Sequence, residues 1–582
     1  MQNNKNVLIA TILSAVVLLS WTWLYEKPRI EKEETQRKLI AAQKPAASEV
    51  KTVATNGAIP AQKMQTQEAV LALKNREEIL ADSKNSRLVV ESPSLHGSIS
   101  LKGARFDDLT LAKYFETQEK KKEVVLFAPA ESKERYFADF GWLSSNAALD
   151  LPNPHTLWKS DSQKLTPQKP VTLSWINKQG IEFKIKIALD ENYMFNVSQS
   201  VKNNSKSEIS IASYGRINRV LNEQRQSNYI LHEGSIGAFD GVLAENSYKN
   251  MRKETHQNFT ANAGSGGWLG ITDKYWLSSM IPDKNINYSA NFNYNFSNQN
   301  NLYSSEFIGQ EFKIAPGEEF KFNHSLFAGA KKVRLLDQYS KDYELKLFDR
   351  AIDFGWFYFL TKPFFFIIEF LNKFLGNFGL AILAMTVLIK LALFPMANKS
   401  YMAIAKVKKL QPKIETIRER FKGDKIAMNR EMMELYKKEK VNPAAGCLPV
   451  LVQIPVFFAL YKVLFVTLDM RHATFYGWIH DLSAPDPTSI FNLFGLLPFS
   501  VTGSFTLGIW PILMGLTMML QQKLSPTSSD PTQAKILKWM PFVLTFVLAA
   551  FPAGLVIYWT WSNSLSILQQ WVITKKMNKE GK

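Results

Sequence analysis

The chain has 582 residues, enough for several domains, and its 46% hydrophobic content conceals a split: residues 26 to about 350 read as soluble, whereas most of 376–573 is apolar. A single cysteine, Cys447, excludes an internal disulfide framework, and Ala445-Gly446-Cys447 lacks the N-terminal signal that a lipoprotein box needs in front of it. The formal charge of +18 lies largely beside apolar spans, the pattern of cytoplasmic membrane flanks, and argues against specific recognition of nucleic-acid sequence.

The first element, residues 1–25, contains the uncharged run Asn6–Tyr25, preceded by Lys5 and closed by Trp21 and Trp23. It is too long for the apolar core of a signal peptide and lacks a nearby cleavage site, so it is expected to be an uncleaved transmembrane anchor. Residues 26–86 follow as a flexible linker: positions 26–85 contain no aromatic residue and are rich in Lys, Glu, Gln and Ala, with transient helix expected near 65–82.

Residues 87–350 change texture to short alternating runs. Val171-Thr172-Leu173-Ser174-Trp175, the turn Asn177-Lys178-Gln179-Gly180, and then Ile181, Phe183, Ile185, Ile187 and Leu189 describe a hairpin with one buried face. A region of this size is expected to form a large β-sandwich ending in a helix over 335–352. Residues 351–377 then suggest an amphipathic helix starting after Pro363. Phe364, Phe365, Phe366, Phe370 and Phe374 stand against Glu369, Asn372, Lys373 and Asn377, as suits a helix lying in a membrane interface.

Residues 378–573 are expected to cross the membrane five times, at Phe378–Asn398, Cys447–Leu468, Phe505–Gln522, Trp539–Phe551 and Gly554–Ile573. The fourth span is short, about 20 Å as a helix, and is expected to thin the bilayer locally. Loop 469–503 carries Asp469, Asp481 and Asp486 against Arg471, while 523–538 carries Lys523, Lys535 and Lys538 against Asp530. With six crossings in all, both termini fall in the cytoplasm and the β-domain outside. The basic tail 574–582 fits that orientation.

The insert 399–446 is a basic helical hairpin. Val407, Leu410, Ile414, Ile417 and Phe421 make one stripe; Gly423 closes that helix, Asp424 caps the next, and Met428, Met432, Leu435 and Tyr436 make the second. Thirteen Lys/Arg against six Asp/Glu over 399–440 draw it towards anionic lipid headgroups.

Within the apolar spans one residue stands apart. Lys390 is the only charge between Phe378 and Asn398, about 12 Å of helix rise from the end of that run and beyond comfortable reach of water for its stem. A charge at such depth costs roughly 2.5–3.5 kcal/mol and normally faces a wet cavity or a partner. Thr386 lies one turn earlier on the same face, and Gln453, Lys462, Tyr558, Ser562 and Asn563 are further polar residues in the spans. Lys462 is near enough to the outer loop to snorkel. No phosphate-cradling glycine loop, nucleophile elbow, catalytic carboxylate pair or metal-ligand spacing is evident. Neither a catalytic residue, a metal nor a cofactor is expected. A transporter would predict an inverted repeat, which is not seen.

The run Gly376–Ser400, Lys409-Leu410-Gln411-Pro412-Lys413, Val441-Asn442-Pro443 through Gln453-Ile454-Pro455, Trp478-Ile479-His480-Asp481-Leu482-Ser483, Ile512–Pro526 and Phe551-Pro552-Ala553-Gly554-Leu555 closely resemble the YidC-type membrane protein insertases in order and topology. The resemblance implies a multi-domain inner-membrane protein of the Gram-negative form. Its parts are an N-terminal anchor, a periplasmic β-super-sandwich and a five-helix core whose hydrophilic groove opens to the cytoplasm and to lipid. It implies insertion and folding of newly made membrane proteins, alone or beside the Sec translocon. The family usually carries arginine where this chain has Lys390, so the charge is kept but the bidentate fork is lost. Thr386, Gln453, Tyr558, Trp559 and Ser562 match groove or substrate-contacting positions. Lys408, Lys409, Lys413, Arg418, Arg420 and Asp530 are the expected contacts for ribosomes or targeting factors.

Overall fold

A computed structural model describes residues 74–221, 231–297, 300–421, 423–439, 441, 448–495, 497, 507–524 and 531–580. The expected anchor, most of the linker, Cys447 and Asp530 lie outside the described residues. Two compact units divide the chain between Asp353 and Phe354.

The first unit is a two-sheet sandwich. One sheet has eleven strands among the described residues. Along its main path it runs His256–Ala261, Tyr288–Ser297, Asn300–Gly309, Ile209–Leu221, Tyr136–Leu143, Arg105–Phe115, Leu95–Ser100, Arg87–Glu91 and Lys164–Leu165. The nine-stranded sheet is ordered Val242–Ser247, Gly234–Phe239, Trp268–Thr272, Trp276–Ile281, Glu319–Ala330, Met194–Lys202, Glu182–Leu189, Val171–Ile176 and Lys159–Ser160. The sequence-predicted hairpin is present, with Leu173 opposite Ile185 and Val171 opposite Ile187. Phe106, Phe195, Phe307, Phe322 and Phe327 are fully buried in this unit, and Gln199 Nε2 donates to the Gly141 carbonyl across it at 3.1 Å.

Three arginines of this unit are paired with buried aspartates. Arg216 grips Asp139 with two hydrogen bonds, at 3.1 Å and 2.8 Å, from the neighbouring strand. Arg87 pairs with Asp107 and Arg76 with Asp108. The last contact corrects the linker boundary. Arg76 opens helix α1 (Arg76–Asp82), and Lys74 already bridges to Ser132, so the folded unit begins at least a dozen residues before position 87. A second correction concerns 335–352. Helix α3 (Val333–Asp342) follows a short α2 (Tyr248–Met251) and stops at Tyr343; Leu347 turns left-handed, at φ 61°, into a 3₁₀ turn over Phe348–Ala351.

The second unit is helical. Helix α4 (Tyr358–Leu375) begins before Pro363 rather than after it, the proline removing a single intrahelical bond. Phe364, Phe365 and Ile368 are buried, while Phe359, Ile367, Phe370 and Phe374 form an exposed apolar face. Helices α5 (Phe378–Ala392) and α6 (Phe394–Lys409) meet at a 70° bend. The expected straight span Phe378–Asn398 is therefore broken, because Pro395 cannot donate to the preceding turn. Helices α7 (Gln411–Arg420) and α8 (Lys425–Lys438) form the sequence-predicted hairpin around Leu410, Ile414 and Met432, with Ile417, Leu435 and Tyr436 packed against them. Asp424 Oδ1 caps α8 by accepting from the amides of Ile426 and Ala427, each at 3.0 Å.

Four further helices complete the unit: α9 (Leu448–Val466), α10 (Ile509–Leu524), α11 (Pro531–Leu548) and α12 (Ala553–Glu580). Helix α11 starts two turns before Trp539 and is about 27 Å long, so the expected short helix is not short, although its first part carries Lys535 and Lys538. Among the described residues no single helix is long and apolar enough to cross a membrane; the bent pair α5 and α6 passes that test together.

Candidate functional site

Lys390 lies in the last turn of α5, twelve residues and about 18 Å of rise from its first residue. Its side chain is half-buried and aimed into the seam between α5, α9 and α12. The ammonium donates to Ser566 Oγ at 2.8 Å and to Gln453 Oε1 at 3.4 Å. Gln453 in turn donates from Nε2 to the Tyr558 hydroxyl at 2.7 Å. Three helices thus contribute to one polar chain, Ser566–Lys390–Gln453–Tyr558.

The spacing of α12 produces its side of this cluster. Tyr558, Ser562 and Ser566 recur every four residues and so stand on one helical face. All three are buried, and the Ser566 hydroxyl donates to the Ser562 carbonyl at 2.9 Å, which leaves its oxygen lone pairs towards Lys390. Sequence reasoning stopped at Ser562; extending the same four-residue stripe by one step reaches Ser566.

Two expected site residues are placed elsewhere. Thr386 is fully buried, and its hydroxyl donates to Ile382 O of its own helix at 2.7 Å. Trp559, one residue from Tyr558, is rotated about 100° around α12. It lies tilted against Phe457 with ring centroids 4.7 Å apart and packs against the cluster of Met514, Leu548 and Val556. Asn563 also faces away, donating to Thr517 Oγ1 of α10 at 3.3 Å.

No carboxylate pairs with Lys390 among the described residues; its partners are a neutral amide and a hydroxyl. This arrangement holds a cation with donors to spare, since a lysine ammonium carries three and two are used. It can accept a carboxylate or peptide carbonyl. Among the described residues there is no group of His, Cys, Asp and Glu fit to hold a metal ion.

A loop closes the other end of the same helices. Asn377 Oδ1 caps α5 at Leu380 N, and its Nδ2 donates to Thr474 O. The α12 amides of Ala553 and Gly554 donate to Ala484 O at 2.7 Å and Leu482 O at 3.0 Å. Asp486 binds the first turn of α10: its Oδ2 accepts from Trp510 N at 2.9 Å, while Oδ1 accepts from Thr488 N, Thr488 Oγ1 and Trp478 Nε1. One loop therefore satisfies backbone amides at the N-termini of α10 and α12 and holds the side chain that caps α5.

The hairpin residues expected to meet partners are mostly exposed, and two have partners within the chain. Lys408 donates to Lys523 O at the end of α10 at 3.2 Å, and Lys413 pairs with Glu439 at 2.8 Å. Lys409 and Arg420 are exposed; Arg418 is half-buried.

Two family models match, one described as 60Kd inner membrane protein over residues 370–580, the other as YidC periplasmic domain over residues 87–367. A membrane protein insertase YidC of Rickettsia bellii is 50% identical over 577 residues, covering 99% of this chain and 100% of the relative. The chain belongs to the YidC family of membrane protein insertases. The YidC relative from Rickettsia akari is 49% identical over the same share of each chain. A crystal structure of an active YidC insertase with its first transmembrane domain resolved aligns over 83% of this chain and 92% of its own, at 16% identity and a TM-score of 0.34. The two family models meet between residues 367 and 370, inside α4, the first helix after the sandwich unit.

Proposed function

We propose that this chain inserts newly synthesised membrane proteins into the bacterial inner membrane and helps them fold, acting as an insertase and not as an enzyme. Residues 1–25 anchor it, 26–73 tether, 74–350 stand in the periplasm, 351–377 lie in the membrane interface, and 378–573 form a five-span core with the hairpin 399–446 and tail 574–582 in the cytoplasm. The cluster Ser566–Lys390–Gln453–Tyr558 is the observation that carries this reading: a cation with neutral partners, set in the seam between three largely apolar helices.

The polar flank of a client enters a groove lined by Lys390, Gln453, Tyr558, Ser562 and Ser566. Coulomb attraction holds acidic groups there more strongly than water would, because the surroundings are of low dielectric. The client's apolar segment slides along the helices into lipid, and its burial at about 25 cal/mol per Å² drives the transfer. Thr386 and Trp559 stand behind the groove, packing the helices that carry it. Lys409, Arg418, Arg420, Asp530 and, once released from their internal contacts, Lys408 and Lys413 meet ribosomes or targeting factors; the Sec translocon is a second partner and membrane lipid a third.

The test uses vesicles containing only this chain and a short phage-coat-like substrate. Protease-protected substrate is the expected result. No protection above empty vesicles, with the chain shown to be folded and correctly oriented, overturns the reading.

A further inference from the structure

The loop beyond Asp486 carries an apolar surface that the groove does not use. From Pro487 to Gln522 the sequence contains no charged residue at all. Within it, a 3₁₀ segment over Ile490–Gly495 exposes Phe491 and Leu493 at 57% and 53%, with Phe494 and Leu497 beside them. Leu493 and Phe494 both have left-handed backbones, at φ 51° and 59°, which large side chains seldom adopt. The turn is held in place: Ile490 N donates to Leu507 O at 3.0 Å, next to α10, and Phe494 N to Ser489 O at 2.7 Å. The Asp486 clamp fixes its root. Tyr476 and Trp478, the side-chain types that favour a membrane–water boundary, are exposed on the same loop.

We propose that Ile490–Gly495 is a wedge seated in the acyl chains of the outer leaflet. Acyl chains are the occupant favoured by two observations. The surface bears no charge to pair with a protein rim, and it runs directly into α10, whose Leu513, Leu516 and Leu520 are also exposed and apolar. An ordered apolar turn standing in water would forfeit its burial free energy; in lipid it keeps it. The wedge would hold the outer end of α10 at a fixed depth while its inner half moves past a client. It rests on the membrane topology given under the proposed function.

The full chain, with Cys447→Ser and one new cysteine by Phe491→Cys or Leu493→Cys, is labelled with an environment-sensitive fluorophore and reconstituted in phosphatidylcholine–phosphatidylglycerol vesicles. Leu157→Cys, exposed on the sandwich, is the aqueous control. Lipids with nitroxides near the headgroup are expected to quench both loop sites several-fold more than the control, and added iodide to quench them several-fold less. Iodide quenching equal to the control overturns the proposal. So does shielding from both quenchers, which would mean that protein, a second copy or a client, covers the turn. Insertion of the phage-coat-like substrate by the same vesicles is scored separately: lipid contact without insertion refutes the insertase reading alone, and insertion without lipid contact refutes the wedge alone.

Discussion

Two kinds of charge site are found in the two units, the paired arginines of the sandwich and the lysine of the helical seam. In the sandwich, Arg216 is matched to Asp139 by two hydrogen bonds, and Arg87 and Arg76 each meet an aspartate. In the helical unit, among the described residues, Lys390 meets Gln453 and Ser566. The first arrangement is closed on itself, because a buried ion pair recovers its desolvation cost only when both partners are in place. The second leaves a cation whose electrostatic demand is unmet. The difference marks Lys390 as a group kept for something that arrives, and the sandwich charges as part of the scaffold.

Breaking each side of this contrast should give different kinds of loss. Arg216→Ala strands Asp139 in the sandwich and is expected to cost about 3–5 kcal/mol, read as a lower unfolding midpoint of the sandwich in calorimetry of the full chain. Replacing both partners with apolar residues of similar volume should restore most of it. Lys390→Gln should leave the stability of both units within about 1 kcal/mol, since the swap of one half-buried polar side chain for another removes no ion pair. Insertion of acidic-flanked substrate by that variant should nevertheless fall roughly tenfold, the scale of about 1.4 kcal/mol of lost attraction. Equal losses of stability in the two variants would erase the distinction.

A smaller effect tests the loop that joins three helix starts. Asp486→Ala removes the acceptor for Trp510 N and Thr488 and should cost about 1–2 kcal/mol, the usual worth of a helix cap with a supporting hydrogen bond. Limited proteolysis between Arg471 and Trp510 would read it as faster cutting, and unchanged cutting would deny the clamp its role.

The most gradual is a pH effect. Burial pushes the Glu306 carboxyl up to about 7, against the opposing pull of Arg216. Its folded-state pKa is above its unfolded one, so the folded sandwich takes up the proton more readily. That contribution is complete below about pH 4.5 and is lost as pH rises through 7. Sandwich stability should therefore decline by about 1 kcal/mol per pH unit between pH 5 and 7 from this group, and Glu306→Gln should flatten that slope. A slope unaffected by the substitution would place the titration elsewhere.

Much of this was legible in the residues. Alternation over 171–189 fixed a hairpin and its buried face because a period of two has only one way to meet a core. Hydrophobic stripes at three- and four-residue spacing, with Gly423 and Asp424 between them, located α7, α8 and the cap. Lys390 was legible because charge is scarce in apolar runs. What was hidden depends on three-dimensional partners. Pro395 bends α5 into α6, yet proline in an apolar run is tolerated or not according to packing. Ser566 is unremarkable until Lys390 and Gln453 stand opposite it. Thr386 and Trp559 looked like groove residues, but Thr386 binds its own helix and Trp559 is turned to α10 by the 100° step between neighbours on a helix. The pairing of Arg76 with Asp108, which carries the sandwich into the expected linker, joins strands and a helix that no local pattern connects.

The most direct measurement exchanges charges on both sides of the proposed contact. Vesicles containing the chain with Lys390, Lys390→Arg or Lys390→Glu are given substrates whose translocated flank is either acidic or basic, and protected substrate is counted. The expected result is that Lys and Arg insert the acidic flank comparably, that Glu loses it, and that Glu recovers part of the yield with the basic flank. Full insertion of the acidic flank by the Lys390→Glu protein would contradict an electrostatic role for this site.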